Sequence, residues 1–172
     1  VVYDDNNGAL VSRCWWLLRW LGHDDARLLD GGFARWRSLQ LPTTAGQEEP
    51  AALEFMPTPR NELVLDVDEI MAAGTDCAAL QLVDARDSAR FMGRHEPIDP
   101  VAGHIPGAIN LPFPASLNGD GTWKEPGELR ELWRQALGDG FGAPWSAMCG
   151  SGVTACHLVL SGLMAGLPEP RV

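Results

Sequence analysis

Basic side chains are scarce in this 172-residue chain: 13 Lys and Arg stand against 23 Asp and Glu, giving a formal net charge of -10. Clustered cations of the kind that hold nucleic acid or an anionic membrane are missing, so neither is expected as a partner. Cysteine is sparse too. Cys14, Cys77, Cys149 and Cys156 have no metal-type Cys-x2-Cys spacing and are too few for a disulfide scaffold. They are read as free thiols of a reducing, cytoplasmic setting, with no metal and no cofactor expected. No apolar run is long enough to span a bilayer, and no secretory signal pattern is found, although the chain opens on Val1 in mid-pattern.

What is present suits one domain plus some extra, with 45% hydrophobic residues to build a core. Residues 1–3 read as the end of a buried strand, followed by the polar turn 4–8 and a helix over 10–21. Val11, Trp15, Leu18 and Leu21, or nearby Trp16 and Leu17, give that helix a broad apolar face, and Gly22 is its stop. A short strand is expected at 26–29 and a short helix at 33–39 carrying Trp36, with the aromatic stripe assigned to core. Residues 41–60 hold Pro42, Gly46, Glu48, Pro50, Pro57 and Pro59, a composition that reads as a linker.

A fresh start follows, with a strand at 63–65, a helix over 66–73 capped by Asp66 and ended near Gly74, and an apolar strand at 79–83. The loop from Asp84 to Gly93 then falls where open parallel sheets place their ligands. Arg90 in that loop has two readings: a guanidinium that grips a substrate carboxylate, or a surface residue paired with Asp87 or Glu96. Arg86 is expected to pair with Asp84 or to cap structure. His104, inside a Gly/Pro turn, invites an acid/base role, but a turn residue holding backbone groups is the better reading. After the turn at 118–121, residues 126–137 form an amphipathic helix with Leu129, Leu132, Trp133 and Leu137 inward.

The chemistry concentrates at Cys149-Gly150-Ser151-Gly152-Val153-Thr154-Ala155-Cys156. Gly150 and Gly152 allow a tight turn with φ > 0, and the amides of residues 150–154 can converge on the Cys149 sulfur. Apolar spacing from Val153 onward predicts a helix, which puts Cys149 just ahead of a helix N-terminus. A dipole contribution of up to ~2 kcal/mol would bring a thiol from ~8.5 to about 7, and amide hydrogen bonds would lower it further. The competing reading makes Cys149 a small buried apolar residue. Cys156, inside the helix, is assigned to core.

This run resembles the active-site loop of 3-mercaptopyruvate sulfurtransferases in the rhodanese family. Thiosulfate-using relatives resemble it in Gly-Val-Thr-Ala-Cys but carry a basic residue where this chain has Gly150 or Ser151. The phosphatases of the same fold need an Arg where Ala155 stands. The resemblance implies a persulfide on Cys149, with Ser151 acting on the substrate carbonyl or its proton and Arg90 on the substrate's anionic end. Gly150, Gly152, Val153 and Thr154 would cradle the bound group. It also implies a small-molecule sulfur donor and a thiol acceptor such as thioredoxin, or cyanide. A second substrate Arg of many such enzymes is replaced by Ile98, Asp99 and Pro100.

The expected fold is a three-layer α/β arrangement, a parallel sheet flanked by helices, over residues 61–172. Asp4 occupies in the first part the place that Cys149 occupies in the second, which resembles the tandem arrangement with a silent first copy. Residues 1–40 are therefore expected to be the C-terminal remnant of that copy, and 61–172 a catalytic domain without its final strand and helix. Alternatives to mercaptopyruvate transfer are thiosulfate transfer and a non-catalytic rhodanese-like module for binding or sulfur sensing.

Overall fold

The computed structural model describes all residues but 48, 50, 75 and 76, and leaves the side chains of Cys77 and Ala78 aside. Glu48 and Pro50 of the expected linker, and the Cys77 thiol, thus lie outside the described residues. Its centre is a three-stranded parallel sheet in the order β2-β1-β3, with β1 at Leu82–Asp84, β2 at Ile109–Asn110 and β3 at Ser146–Met148. Val83 pairs with Ile109 on one side and Ala147 on the other. A strand bonded along both edges is buried on both faces, and Leu82, Val83 and Asp84 are each 0% exposed.

Among the described residues six α-helices accompany the sheet: α1 Ala9–Trp20, α2 Gly32–Ser38, α3 Val67–Ala73, α4 Ser88–Phe91, α5 Pro126–Leu137 and α6 Val153–Met164. α3 starts on a capping box in which Asp66 accepts from the Asp68 amide and Glu69 reaches back to the Asp66 amide. Pro126 opens α5 at a position whose N–H has no helical partner to lose. Leu129, Trp133 and Leu137 of α5 are buried at one-turn spacing, while Leu132 is half-buried. The core joins them to Val83, Ala147, Leu158 and Val159, and to Trp15 and Trp16 of α1. The buried residues of α1 are Ala9, Val11, Ser12, Trp15 and Trp16, so of the expected face Val11, Trp15 and the alternative Trp16 are buried, while Leu18 and Leu21 are half-buried.

α1 and α6 are matched pieces packed against each other. Each has 12 residues and follows a left-handed glycine, Gly8 at φ 77° and Gly152 at φ 74°. Each is followed by another, Gly22 at φ 87° and Gly166 at φ 80°. Ahead of α1 the Asp4 carboxylate accepts from the amides of Asn6, Gly8, Leu10 and Val11 at 2.9 to 3.0 Å. Ahead of α6 the corresponding place holds Cys149.

Several expected strands differ. Residues 79–80 close a 3-10 turn over Cys77–Leu80, because Gln81 takes φ 39° and the ladder begins only at Leu82. Of residues 63–65, Leu63 closes a 3-10 turn at Asn61–Leu63, and Leu63 and Leu65 each make a single backbone bond with Val172. Residues 1–3 and 26–29 meet only as one parallel bridge, Val2 with Leu28, and Ser146 meets Arg171 in the same way. One bridge without a further paired strand among the described residues does not extend into a ladder. Residues 41–57 lie exposed outside helix and strand where described, and then the linker's end docks, with Thr58 and Arg60 amides donating to Leu21 and Trp20 carbonyls.

Candidate active site

The three strands deliver their C-terminal ends to one edge of the sheet. Ala85 and Arg86 follow β1, Pro112 and Phe113 follow β2, and Cys149 follows β3. Ala85 is bonded to Met148, and Phe113 to Ala85, so the three exits are tied together. The crevice outside such an edge is where ligands of open α/β sheets bind. Here it is a cavity of ≈ 370 Å³ whose lining includes Arg86, Arg90, Asp99, Phe113, Cys149, Gly150, Ser151 and Thr154.

Cys149 is half-buried, and the Gly152 amide donates to its Sγ at 3.1 Å. Burial alone would push the thiol up, but hydrogen bonds from the Thr154 hydroxyl and from the amides of Ala155, Ser151 and Thr154 outweigh it, so the thiol ends below its ordinary value. Gly152 requires its glycine: φ is 74°, and an added Cβ would sit 3.2 Å from an Arg13 nitrogen. Gly150 does not take the positive φ expected of it. Its lack of a side chain instead leaves open the lip facing Arg90, whose Nη2 lies 3.6 Å from where a Cβ would be. Ser151 is exposed on the cavity wall, and Val153, the first residue of α6, is not among the residues that line it.

Cys156 is 0% exposed beneath the loop, as its helical position predicts. Its Sγ donates to the Gly152 carbonyl at 3.1 Å, and burial pushes its pKa up to about 11. One residue, Gly152, therefore receives the buried thiol on its carbonyl oxygen and serves the Cys149 sulfur with its amide nitrogen.

Opposite the thiol, two arginines and three carboxylates form one network. Arg86 pairs with Asp84 as expected, with Nη2 at 2.7 Å, and also donates to the Gly103 carbonyl at 2.8 Å. Arg90 donates through Nε and Nη2 to both Glu96 oxygens, at 3.1 and 2.8 Å, and through Nη2 to Asp99 at 3.0 Å. Its Nη1 has no hydrogen-bond partner among the described residues. The Arg90 guanidinium holds Glu96 down to about 2, against the opposing effect of burial. Asp87 caps α4 by accepting from the Arg90 amide at 3.0 Å, so it positions Arg90 by its backbone and not by an ion pair.

His104 bonds the Phe91 carbonyl through Nδ1 at 2.8 Å and stacks on the Phe91 ring at 3.7 Å, as its turn setting suggested. Sequence reasoning missed Phe113 and its flanking prolines, which the strand-end rule would have found. It missed Arg13 as well, which reaches from α1 to the Gly152 carbonyl at 3.5 Å and the Cys156 sulfur at 3.7 Å. It missed His157, fully buried between Trp123 and Phe113 and held neutral by burial, with its pKa down to about 4. No local pattern marks either residue, since Arg13 depends on how α1 meets α6 and His157 on how α6 meets Phe113 and Trp123. Among the described residues no cluster of His, Cys, Asp or Glu fits a metal ion, and no helix is long and apolar enough to cross a membrane.

The rhodanese-like domain family matches this chain over residues 66–166. A probable 3-mercaptopyruvate sulfurtransferase of Pseudomonas aeruginosa is 42% identical over 173 residues, covering 100% of this chain and 61% of the relative. A thiosulfate sulfurtransferase of Gallus gallus is 34% identical, covering 100% of this chain and 60% of the relative. The chain thus spans about three fifths of the length of the curated relatives it matches. Among solved structures, the 3-mercaptopyruvate sulfotransferase SseA of Escherichia coli superposes with a TM-score of 0.83 at 32% identity, over 99% of this chain and 63% of that one.

Proposed function

This chain belongs to the rhodanese family, and from that premise we propose that the protein moves a sulfane sulfur from 3-mercaptopyruvate to a thiol acceptor through a persulfide on Cys149. The observation that carries the reading is a thiol of lowered pKa facing a guanidinium across an open cavity. In the first step the Cys149 thiolate attacks the donor's sulfur. An S–S bond forms, the C–S bond breaks, and its electron pair leaves on pyruvate as the enolate, which then takes a proton. Ser151, exposed at the lip, hydrogen-bonds the donor's carbonyl or relays that proton. Arg90 takes the carboxylate through its open Nη1 side, while the loop amides and Thr154 hold the charge on sulfur. In the second step an acceptor thiolate, on a protein such as thioredoxin or on a small thiol, takes the outer sulfur and returns Cys149 as thiolate. Cyanide would serve equally.

The reading places this chemistry in the cytoplasm, in keeping with free thiols at Cys14, Cys149 and Cys156. It takes residues 1–40 as part of a silent copy, since the Asp4 carboxylate fills its own amide cradle and leaves no nucleophile there. Residues 61–172 carry the chemistry. The uncharged Gly150 and Ser151 favour mercaptopyruvate over thiosulfate.

Mass spectrometry after exposure to 3-mercaptopyruvate tests the proposal. The mass of one added sulfur atom is expected on the peptide bearing Cys149, and its absence in a Cys149→Ser variant. No added sulfur with any donor would make the domain a binding or sensing module. Labelling by thiosulfate in preference to mercaptopyruvate would overturn the choice of donor.

A further inference from the structure

We propose that Asp99 sets the charge of the donor this site accepts, disfavouring a doubly charged donor relative to a singly charged one. The proposal rests on the reading of Arg90 as the anion anchor. Asp84 and Glu96 already balance Arg86 and Arg90 one for one, and their side chains are 0% and 4% exposed. Asp99 is the third carboxylate. Its side chain is 41% exposed and lines the cavity with Cys149, lying 3.0 Å from Arg90 Nη2 and 3.8 Å from Arg86 Nη1. The five groups therefore sum to one negative charge, which is the wrong sign for an open anion site.

The two acids bound to Arg90 do different work. Glu96 accepts the amides of Ile98 and Asp99 at 3.0 and 3.1 Å and so fixes the course of the loop. Among the described residues no backbone amide is bonded to the Asp99 carboxylate, so its charge can be removed while the loop stays in place. An anion arriving at Arg90 meets Asp99 as a competitor for Nη2 and as a like charge within a few ångströms. That repulsion scales with the ligand's charge: in the same potential a dianion such as thiosulfate has twice the repulsion energy of a monocarboxylate, and a neutral molecule has none. Gly150 and Ser151 supply no cation to offset it.

The test compares Asp99→Asn and Arg90→Gln with the parent 172-residue chain. Cys149 is alkylated by iodoacetate, an anion, and by iodoacetamide, its neutral counterpart, with peptide mass spectrometry separating Cys149 from the exposed Cys14. Asp99→Asn is expected to raise the iodoacetate-to-iodoacetamide rate ratio about threefold, the scale of one partly screened charge, and added salt is expected to shrink the difference. In turnover, kcat/KM is expected to rise about threefold for mercaptopyruvate and about ninefold, the square, for thiosulfate. Arg90→Gln is expected to lower the ratio. If Arg90→Gln lowers it while Asp99→Asn leaves it unchanged, or speeds both reagents equally, Asp99 is not the discriminator and the anchor stands. A ratio indifferent to Arg90→Gln removes the anchor, and this proposal with it.

Discussion

Thr154 and Glu96 hold the two charges of the site in place, and each can be altered without enlarging a side chain. Thr154→Val keeps the shape of the first turn of α6 but removes a hydroxyl that stabilises the Cys149 thiolate. Hydrogen bonds to charged groups are worth about 1.5–3 kcal/mol. Alkylation of Cys149 by iodoacetamide at neutral pH is therefore expected to slow about tenfold, with its pH profile moved toward higher pH. An unmoved profile would assign the low thiol to the amides alone. Glu96 follows the carboxylate sign: its folded pKa lies below the unfolded one, so its contribution is complete at neutral pH. That contribution is lost as the pH falls from the ordinary carboxyl range toward about 2. Glu96→Gln is expected to be less stable than the parent at pH 7, with urea midpoints that converge on acidification. A gap that stays constant down to pH 2 would mean that charge is not what Glu96 supplies.

At the level of elements, α6 is held as closely as it is read. Gly162 faces Trp145, and a Cβ there would lie 2.4 Å from the ring. The indole cannot retreat, being stacked obliquely on Trp133 and bonded through Nε1 to the Pro168 carbonyl at 2.9 Å. Gly162→Ala is expected to destabilise the chain by about 1–3 kcal/mol by overpacking, despite alanine's better helix propensity, and thermal unfolding would measure it. A melt unchanged or raised would mean that α6 shifts freely on the sheet. The start of α6 was legible because Gly152 and the apolar spacing after it are local signals, as are Asp66 with Glu69 at α3 and Pro126 at α5. The strand limits were not. Residues 79–80 are as apolar as Leu82 and Val83, and only the path through Gln81 decides which join the ladder. Cys149 could be found from its neighbours in sequence, whereas the Arg90 partners depend on a loop that folds Glu96 and Asp99 back across nine residues. Of the two readings of Arg90 given by the sequence, the Glu96 pair is present, and the substrate role proposed above uses the Nη1 side that this pair leaves open.

For the molecule as a whole, the division of the chain into an early part and a late part does not divide its core. Trp15 and Trp16 of α1 are 7% and 5% exposed, and they belong to the same buried cluster as Leu158 and Val159 of α6. Arg13 adds a polar tie by reaching the Gly152 carbonyl from the outer side of the loop. Burial of a large apolar side chain contributes roughly 1.5–3 kcal/mol, so Val11, Trp15 and Trp16 together contribute about 6 kcal/mol. Removing α1 also uncovers the α6 surface that it packs against. Such a loss equals or exceeds the lower end of the 5–15 kcal/mol margin typical of a folded domain. A chain cut to residues 61–172 keeps Cys149, Arg90 and every strand of the sheet. It is nonetheless expected to lose its cooperative melt, to bind hydrophobic dyes and to associate in sedimentation, and its Cys149 is expected to alkylate as slowly as an ordinary thiol. If the shortened chain melts cooperatively as a monomer with an unchanged thiol profile, then α1 only rests against the domain, and the cradle of Cys149 is built by β3 and α6 alone.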